Sequence, residues 1–343
     1  MTDQQTNTTA TTDRSVIIGG VDTHKDTHTV AAITSTGQFL GHATFPATGS
    51  GYRQLLAWLQ GHGQLGQVGI EGTGSYGAGL ARHLTTAGID LVEVDRPDRK
   101  TRRTRGKSDP IDAEAAARAV LARTATGTPK TRTGPAEALR MIHTTRASAL
   151  KARTAAMNAF QQLLITAPEP LRAQLRGLKG TKLVAAAAKL RPGTNLADPT
   201  QTAKRVLRRY AHRIHDLDDE IATSTHELTT LVTQTAPGLL AQFGVGPETA
   251  AQLLITAGDN PHRIHTEAAF AALCGTNPIP ASSGRTHHHR LNRGGDRQAN
   301  RALYIITIVR LAHHPTTRDY AHRSTTKGRS KTQTIRCLKR YIA

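Results

Sequence analysis

Three short runs near the start of the chain concentrate or alternate apolar residues: Val16 to Val21 (VIIGGV), Thr29 to Thr34 and Gln38 to Phe45. Their length, their β-branched content and the glycine or polar breaks between them predict three consecutive antiparallel strands. Tyr52 to Leu59 then has apolar residues at helical spacing, and Val68 to Ile70 is a buried-strand run. Tyr76 to Ala87 is helical with Gly88 as its stop, and Ile89 to Val94 is another strand. Ser108, Asp109 and Pro110 open a further helix, because Ser or Asp suits an N-cap and Pro the first helical position; Ala-rich sequence continues it from Ile111 to Arg123. Residues 1–14 show no such periodicity and read as a disordered polar tail.

The order β-β-β-α-β-α-β is that of a ribonuclease-H-like layered fold, so the expected class is α/β for residues 15–130 and mainly α thereafter. In residues 131–235, Ala136 to Ile165 and Thr200 to Thr233 each carry one apolar face and one face of Arg, Lys and Gln. That pattern predicts two long helices in a hairpin or coiled coil. The basic, Pro- and Gly-punctuated segment between them suggests no role. Residues 236–343 begin with two apolar helical stretches around a Gly-rich turn, PGLLAQFGVGPETAAQLLI. From Leu273 to Arg301 the composition turns to Gly, Pro, Ser, His, Asn and Arg, which predicts a functional loop region before apolar sequence resumes at Ala302.

Charge narrows the partners. Lys and Arg number 45 against 25 Asp and Glu, a formal net charge of +20, which points to a polyanion. From Asp95 to Lys107 the run DRPDRKTRRTRGK has no apolar face; Arg99, Lys100, Arg102, Arg103, Arg105 and Lys107 are candidate phosphate contacts in a loop that orders on nucleic acid. With 3% aromatic residues, base stacking does not dominate affinity, and no zinc finger or recognition helix is evident. Cys274 and Cys337 are too few for a disulfide framework. No run is long enough to span a membrane and no secretion signal opens the chain, so a cytoplasmic, membrane-free protein is expected.

Four carboxylates carry the candidate chemistry. Asp22 follows VIIGGV and Glu71 follows VGI, so each closes a strand; adjacent strands would set them side by side, where a cation relieves their repulsion. Asp109 and Asp112, three apart at a helix start, can face the same point. Oxygen ligands without a His or Cys partner suit Mg²⁺ or Mn²⁺, and such ions serve phosphodiester chemistry. Read alone, Asp109 is equally an N-cap and Asp112 an acid favoured by the helix dipole.

In FGVGPETAAQLL, the amides of Gly244 and Gly246 at a helix start are candidate phosphate contacts. Further on, LCGTNPIPASSGRTHHHRLNRGGDRQANRALY places Ser282 and Ser283 before Gly284, among Arg285, Arg290, Arg293, Arg297 and Arg301. These arginines suit backbone phosphates; a serine in a loop is ordinarily inert unless a base or metal activates it. The consecutive His287, His288 and His289 point in different directions and predict phosphate or RNA contacts rather than zinc.

GVDTHKDTH around Asp22, IEGTGSYG around Glu71 and KSDPIDA around Asp109 and Asp112 resemble the DEDD-type transposases of insertion sequences, which are bridge-RNA-guided recombinases. The resemblance runs from about Val16 to Arg340. It implies a RuvC-like N-terminal domain in which Asp22, Glu71, Asp109 and Asp112 bind the metal. It also implies a helical C-terminal transposase domain with a helix-hairpin-helix-like start. By the same likeness the serine before glycine, Ser283, with Ser282 as fallback, attacks DNA and keeps the 5′ end as a phosphoserine. Relatives commonly carry a second glycine where this chain has Arg285. The implied partners are donor and target DNA, a non-coding bridge RNA and further copies of the chain, dimer to tetramer with a composite site between subunits. Similar proteins usually run somewhat beyond RCLKRYIA, which is compatible with a truncated natural copy or with an artificially trimmed chain. Rival readings are a junction resolvase using activated water, an actin-like ATPase or sugar kinase without a Walker motif, and a non-catalytic RNA-binding protein.

Overall fold

A computed structural model describes residues 16–94, 108–286 and 288–343. The polar tail, the basic run from Arg99 to Lys107 and His287 lie outside the described residues. The chain divides into two compact units, Met1–Gly134 with Gly258–Arg263, and Pro135–Ala257 with Ile264–Ala343. The segments expected as separate domains, 131–235 and 236–343, therefore fall almost wholly in one unit.

The first unit is built on a five-stranded sheet of order β3-β2-β1-β4-β5, with β1 Val16–Thr23, β2 Thr27–Thr34, β3 Phe39–Pro46, β4 Gln64–Glu71 and β5 Asp90–Val94. The first three strands pair antiparallel as expected, whereas β1 to β4 and β4 to β5 run parallel. Side chains alternate across the sheet. Ile17, Val21, Val30 and Ile70 pack with Leu55 and Leu59 of α1, Gly49–Gly61, and with Leu80 and Leu84 of α2, Ala78–Thr86. On the opposite face Ile18, Ile33, Val92 and Val94 pack against Ala116, Ala117 and Val120 of α3, Asp109–Leu121.

Most differences from expectation are at element ends. α2 starts at Ala78 rather than Tyr76, because the Ser75 and Gly77 amides both donate to the Gly72 carbonyl (2.8 and 3.1 Å) and close a turn first. Its end is as read: Gly88, at φ +76°, and Ile89 donate back to Thr85 and Leu84, a Schellman closure. Ser108 is the N-cap of α3 by backbone conformation, although its side chain makes no cap hydrogen bond, and Asp109 precedes Pro110 inside the first turn.

Glycine decides how near α3 comes to the sheet. A Cβ on Gly20 would lie 2.2 Å from both the Ala113 carbonyl oxygen and the Ala117 amide nitrogen. One on Gly69 would lie 2.6 Å from Val120 Cγ2 and 3.0 Å from the Ala116 carbonyl. β1 and β4 thus present bare backbone to an alanine face of α3.

In the second unit, α4 Pro135–Thr166 and α7 Pro199–Thr235 form the expected antiparallel hairpin: Arg146 reaches Thr225 (2.8 Å) and Arg153 pairs with Asp218. The intervening segment, to which the sequence suggested no role, forms α5 Glu169–Leu175 and α6 Gly180–Ala188. Leu171, Leu175, Leu183 and Val184 close the end of the hairpin over Phe160, Leu207 and Ile214. α8 Pro237–Leu240 is a single turn, and α9 Pro247–Ala257 buries Ala250 and Ala251 against Leu139, Leu228 and Val232. Beyond α10, Glu267–Leu273, the stretch expected as loop contains a two-stranded hairpin, β6 Pro278–Pro280 with β7 His289–Leu291. Helices α11 Arg297–His313, α12 Pro315–Thr326 and α13 Lys331–Ile342 complete the unit. Among the described residues no helix is long and apolar enough to cross a membrane.

A methyl group at Gly20 has only helix backbone to displace, so Gly20→Ala is expected to destabilise the first unit by about 3 kcal/mol, the upper end of overpacking costs. Trp58 of α1, the chain's one tryptophan, reports that unit selectively: its fluorescence should show a lower urea midpoint in Gly20→Ala than in Gly61→Ala, where a Cβ meets nothing within 4 Å.

Candidate metal centre

β1 carries Asp22 to the edge of the sheet as its penultimate residue, and α3 brings Asp109 and, one turn on, Asp112 to the same edge. Asp22 is 8% exposed and Asp112 6%, burial that carboxylates rarely show without compensation. Beyond β1 the chain turns, with the His24 amide donating to the Thr27 carbonyl (3.0 Å). The His24 ring comes to rest between two acids, its Nε2 3.2 Å from Asp22 Oδ2 and 3.3 Å from Asp109 Oδ1.

That nitrogen is buried and stands within 3.3 Å of an oxygen of each carboxylate. One ligand atom from each of the three groups lies within 4.8 Å of the others, close enough to hold a metal ion between them. Burial pushes the Asp22 carboxyl above the usual carboxylate range; His24 opposes the shift, and Asp109 and then Asp112 add to it. Negative charge is thus gathered where solvent screens it poorly, and a divalent cation fits the donor set. Beside the two carboxylates the cluster offers an imidazole nitrogen, a donor additional to the acids expected from the sequence.

Glu71 ends β4, the parallel neighbour of β1, and with Val21 opposite Ile70 it leaves the sheet at the same edge as Asp22. Its backbone carbonyl accepts a hydrogen bond from Thr23 Oγ1 at 2.8 Å. Glu71 and Asp112 border the site, while the tight set is Asp22, His24 and Asp109. His24 is the residue sequence reading passed over; it lies two positions after Asp22, just beyond the end of β1, where the turn aims its ring. Behind it, His28 is fully buried, stacked on Tyr52 with ring centroids 5.6 Å apart, and burial pushes its pKa down, keeping it neutral.

In the second unit Ser283 sits at the tip of the β6–β7 hairpin. Ser283 and Thr286 exchange backbone hydrogen bonds (3.1 and 3.0 Å) around Gly284 and Arg285. Gly284 takes φ +55° at the first central position, where a type II′ turn calls for glycine, so Arg285 needs no left-handed conformation. Both serines are exposed; the Ser282 hydroxyl is 3.5 Å from the His288 carbonyl, the outer limit of a hydrogen bond. Arg285, Arg290, Arg293 and Arg297 are exposed, Arg285 in the turn beside Ser283 and the others on and after β7. The turn before α9 departs from the expected phosphate cradle. The Gly246 amide donates to Thr249 Oγ1 at 3.0 Å, and Gly244, at φ +81°, lies against α11, where a Cβ would be 3.3 Å from the Ile306 carbonyl. Cys274 is buried, its thiol pushed up to about 12, chiefly by burial, which makes it inert.

Comparison with known proteins places these features in a family context. Residues 19–167 match the DEDD_Tnp_IS110 transposase family model, and residues 238–322 match that of the transposase IS116/IS110/IS902 family. The chain is 36% identical over 106 residues, 31% of its length, to a protein named insertion element IS110 uncharacterized 43.6 kDa protein of Streptomyces coelicolor. It is 28% identical over 143 residues, 41% of its length, to the insertion element IS900 uncharacterized 42 kDa protein of Mycobacterium paratuberculosis. The aligned stretches span 26% and 36% of those relatives.

Because the folded state raises the Asp22 pKa, the group's favourable contribution is complete below its unfolded pKa and is lost as pH rises through the folded value. At neutral pH without metal, Asp22→Asn is therefore expected to raise the melting temperature followed by Trp58. Mn²⁺ at a hundredfold excess over its dissociation constant should stabilise the wild type by about 2.7 kcal/mol. Asp22→Asn and His24→Ala should each lose most of that gain, and an undiminished shift in either would move the ion elsewhere.

Proposed function

We propose that this chain, which carries IS110-family transposase domains near both ends, is a DNA transposase that cleaves and exchanges strands at the ends of an insertion sequence. The observation that carries the proposal is the gathering of Asp22, His24 and Asp109 at the open edge of a sheet, bordered by Asp112 and Glu71. Such an arrangement is costly for a fold and useful to phosphoryl transfer. A Mg²⁺ or Mn²⁺ ion held there supplies positive charge to the scissile phosphate and its attacking oxygen.

Asp22, Asp109, Asp112, Glu71 and His24 hold and orient that charge. Ser283 is the nucleophile: its Oγ bonds to phosphorus as the bond to the 3′ oxygen breaks, its proton is lost and the departing oxygen takes one up. The 5′ end stays on the serine until a 3′ hydroxyl from the exchanged strand attacks the phosphoserine and releases it. The hairpin tip suits this role because Gly284 bears no side chain to impede a phosphate and the hydroxyl stands in solvent. Exposed Arg285, Arg290, Arg293 and Arg297, with the basic run Arg99, Lys100, Arg102, Arg103, Arg105 and Lys107, bind backbone phosphates of donor and target DNA. A bridge RNA supplies sequence choice, consistent with the +20 charge and the lack of an evident base-reading element, and the working assembly is a dimer that pairs into a tetramer. The family matches favour strand transfer over a junction resolvase.

Strand exchange between element-end and target DNA, with Mg²⁺ and the flanking transcript, tests this directly. Asp22→Ala and Ser283→Ala should each reduce exchange by at least about a thousandfold. A denaturant-stable protein–DNA adduct should form with wild type and be missing in Ser283→Ala. Strand cleavage that persists in Ser283→Ala would assign the attack to water, or to Ser282 if Ser282→Ala then abolishes it.

A further inference from the structure

A basic cleft of the C-terminal unit shares Arg290 with the phosphate contacts proposed above and is otherwise built from residues they do not include. The base of the β6–β7 hairpin and the C-terminal helix α13 enclose a cleft of about 440 Å³. Arg290, Arg329, Arg336, Lys339 and Arg340 line it, and no carboxylate is among its lining residues. Arg336, Lys339 and Arg340 are spaced i, i+3 and i+4 on α13 and so share one helix face. Like charges on one face are unfavourable unless an anion lies between them.

The cleft is preorganised. Asn300 donates to the carbonyls of Cys274 (2.9 Å) and Gly275 (3.0 Å), which leaves its Oδ1 to accept from Lys339 Nζ at 2.6 Å. Asn292 ties the hairpin base down in the same manner, donating to the Ala272 carbonyl and to Asn277 Oδ1. A Cβ on Gly295 would lie 2.1 Å from the Gly275 amide nitrogen, so the floor admits no side chain there. Burial holds the Lys339 ammonium below its ordinary pKa, and the Arg336 charge adds to this. At the rim, Tyr341 is 74% exposed, with Tyr320 meeting it edge-on at 5.7 Å.

We propose that this cleft binds the phosphodiester backbone of a short single-stranded nucleic-acid segment, with a base stacked on Tyr341. A cleft of this size takes one or two nucleotides and excludes a duplex. Several fixed cations beside an exposed ring are the elements of a single-strand site. The cleft reaches the hairpin at Pro278 and at His289, which pairs with Pro280, a few residues before Ser283, so one bound strand reaches both. Arg329, Arg336, Lys339, Arg340 and Tyr341 thereby hold the strand near the nucleophile; this last step rests on the function proposed above, whereas binding in the cleft does not.

The test uses the full chain and fluorescence anisotropy with labelled oligothymidylate and oligouridylate across a salt series. Arg336→Gln combined with Arg340→Gln should weaken binding by at least about tenfold, and its salt slope should fall by about 1.4, or 0.7 per lost phosphate contact. Tyr341→Leu should weaken binding by about five- to tenfold with an unchanged slope, and Tyr341→Phe should retain it. Either oligomer meeting these criteria supports the proposal, and the tighter one identifies the strand as DNA or RNA. An equal loss in the matched control Arg208→Gln with Arg209→Gln, no loss in Tyr341→Leu, or equally effective displacement by polyglutamate would overturn it. Strand-exchange assays on the same proteins separate the two ideas: wild type that binds through the cleft yet never forms the serine adduct defeats only the proposed function.

Discussion

The close approach of α3 to β1 is the constraint on which the first unit depends. Two strands meet a helix backbone at Gly20 and Gly69, and a single methyl at either position would fall within 3 Å of its neighbours. With ordinary side chains between them, the helix would stand farther off and carry Asp109 and Asp112 away from Asp22. The glycines weaken the strands slightly by intrinsic preference, and the buried alanines of α3 compensate by packing directly on the sheet. Backbone contact, rather than bulky apolar packing, sets the spacing of the acids.

That spacing sets stability against chemistry. Asp22 is buried beside Asp109 and Asp112, and the displaced titration of its carboxyl expresses the cost. His24 only partly offsets it, because burial of the carboxyl outweighs the charge and hydrogen bonding that the imidazole offers. Apolar contacts on both faces of the sheet sustain this local penalty. The result is a rigid edge whose unfavourable electrostatics become favourable when a cation binds.

The second unit solves a different problem. Its long helices form a hairpin closed at one end by α5 and α6, and α9 and α11 build a second core beside it. From that core project the short hairpin with Ser283 and the basic face of α13. Elsewhere in the unit charge is paired: Glu248, whose carboxyl is held below the usual range first by hydrogen bonding with His143, also pairs with Arg146. Positive charge is neutralised where it serves packing and left open where a polyanion is expected.

The order of strands and helices from Val16 to Val94, the helix beginning at Asp109 and the two long helices were all legible in the sequence. Each depends on periodicity and end residues within a few positions, and the motifs marking Asp22, Glu71, Asp109 and Asp112 are equally local. His24 was hidden because its role depends on a turn after β1 that aims one ring between residues far apart in the chain. Gly246 could be read from sequence only as a candidate, because its amide can face a ligand or its own helix; in the structure it donates to the Thr249 hydroxyl. The segment between the long helices lacked strong periodicity, and its helices are defined by the core they close. The sequence by itself determined which elements form, since these follow from local conformational preference, and marked by local motif which acids are candidates for the chemistry. The tertiary structure alone decided how closely α3 lies on the sheet, which donors converge and which cations stay unmatched, because those depend on steric fit and charge between residues distant in sequence.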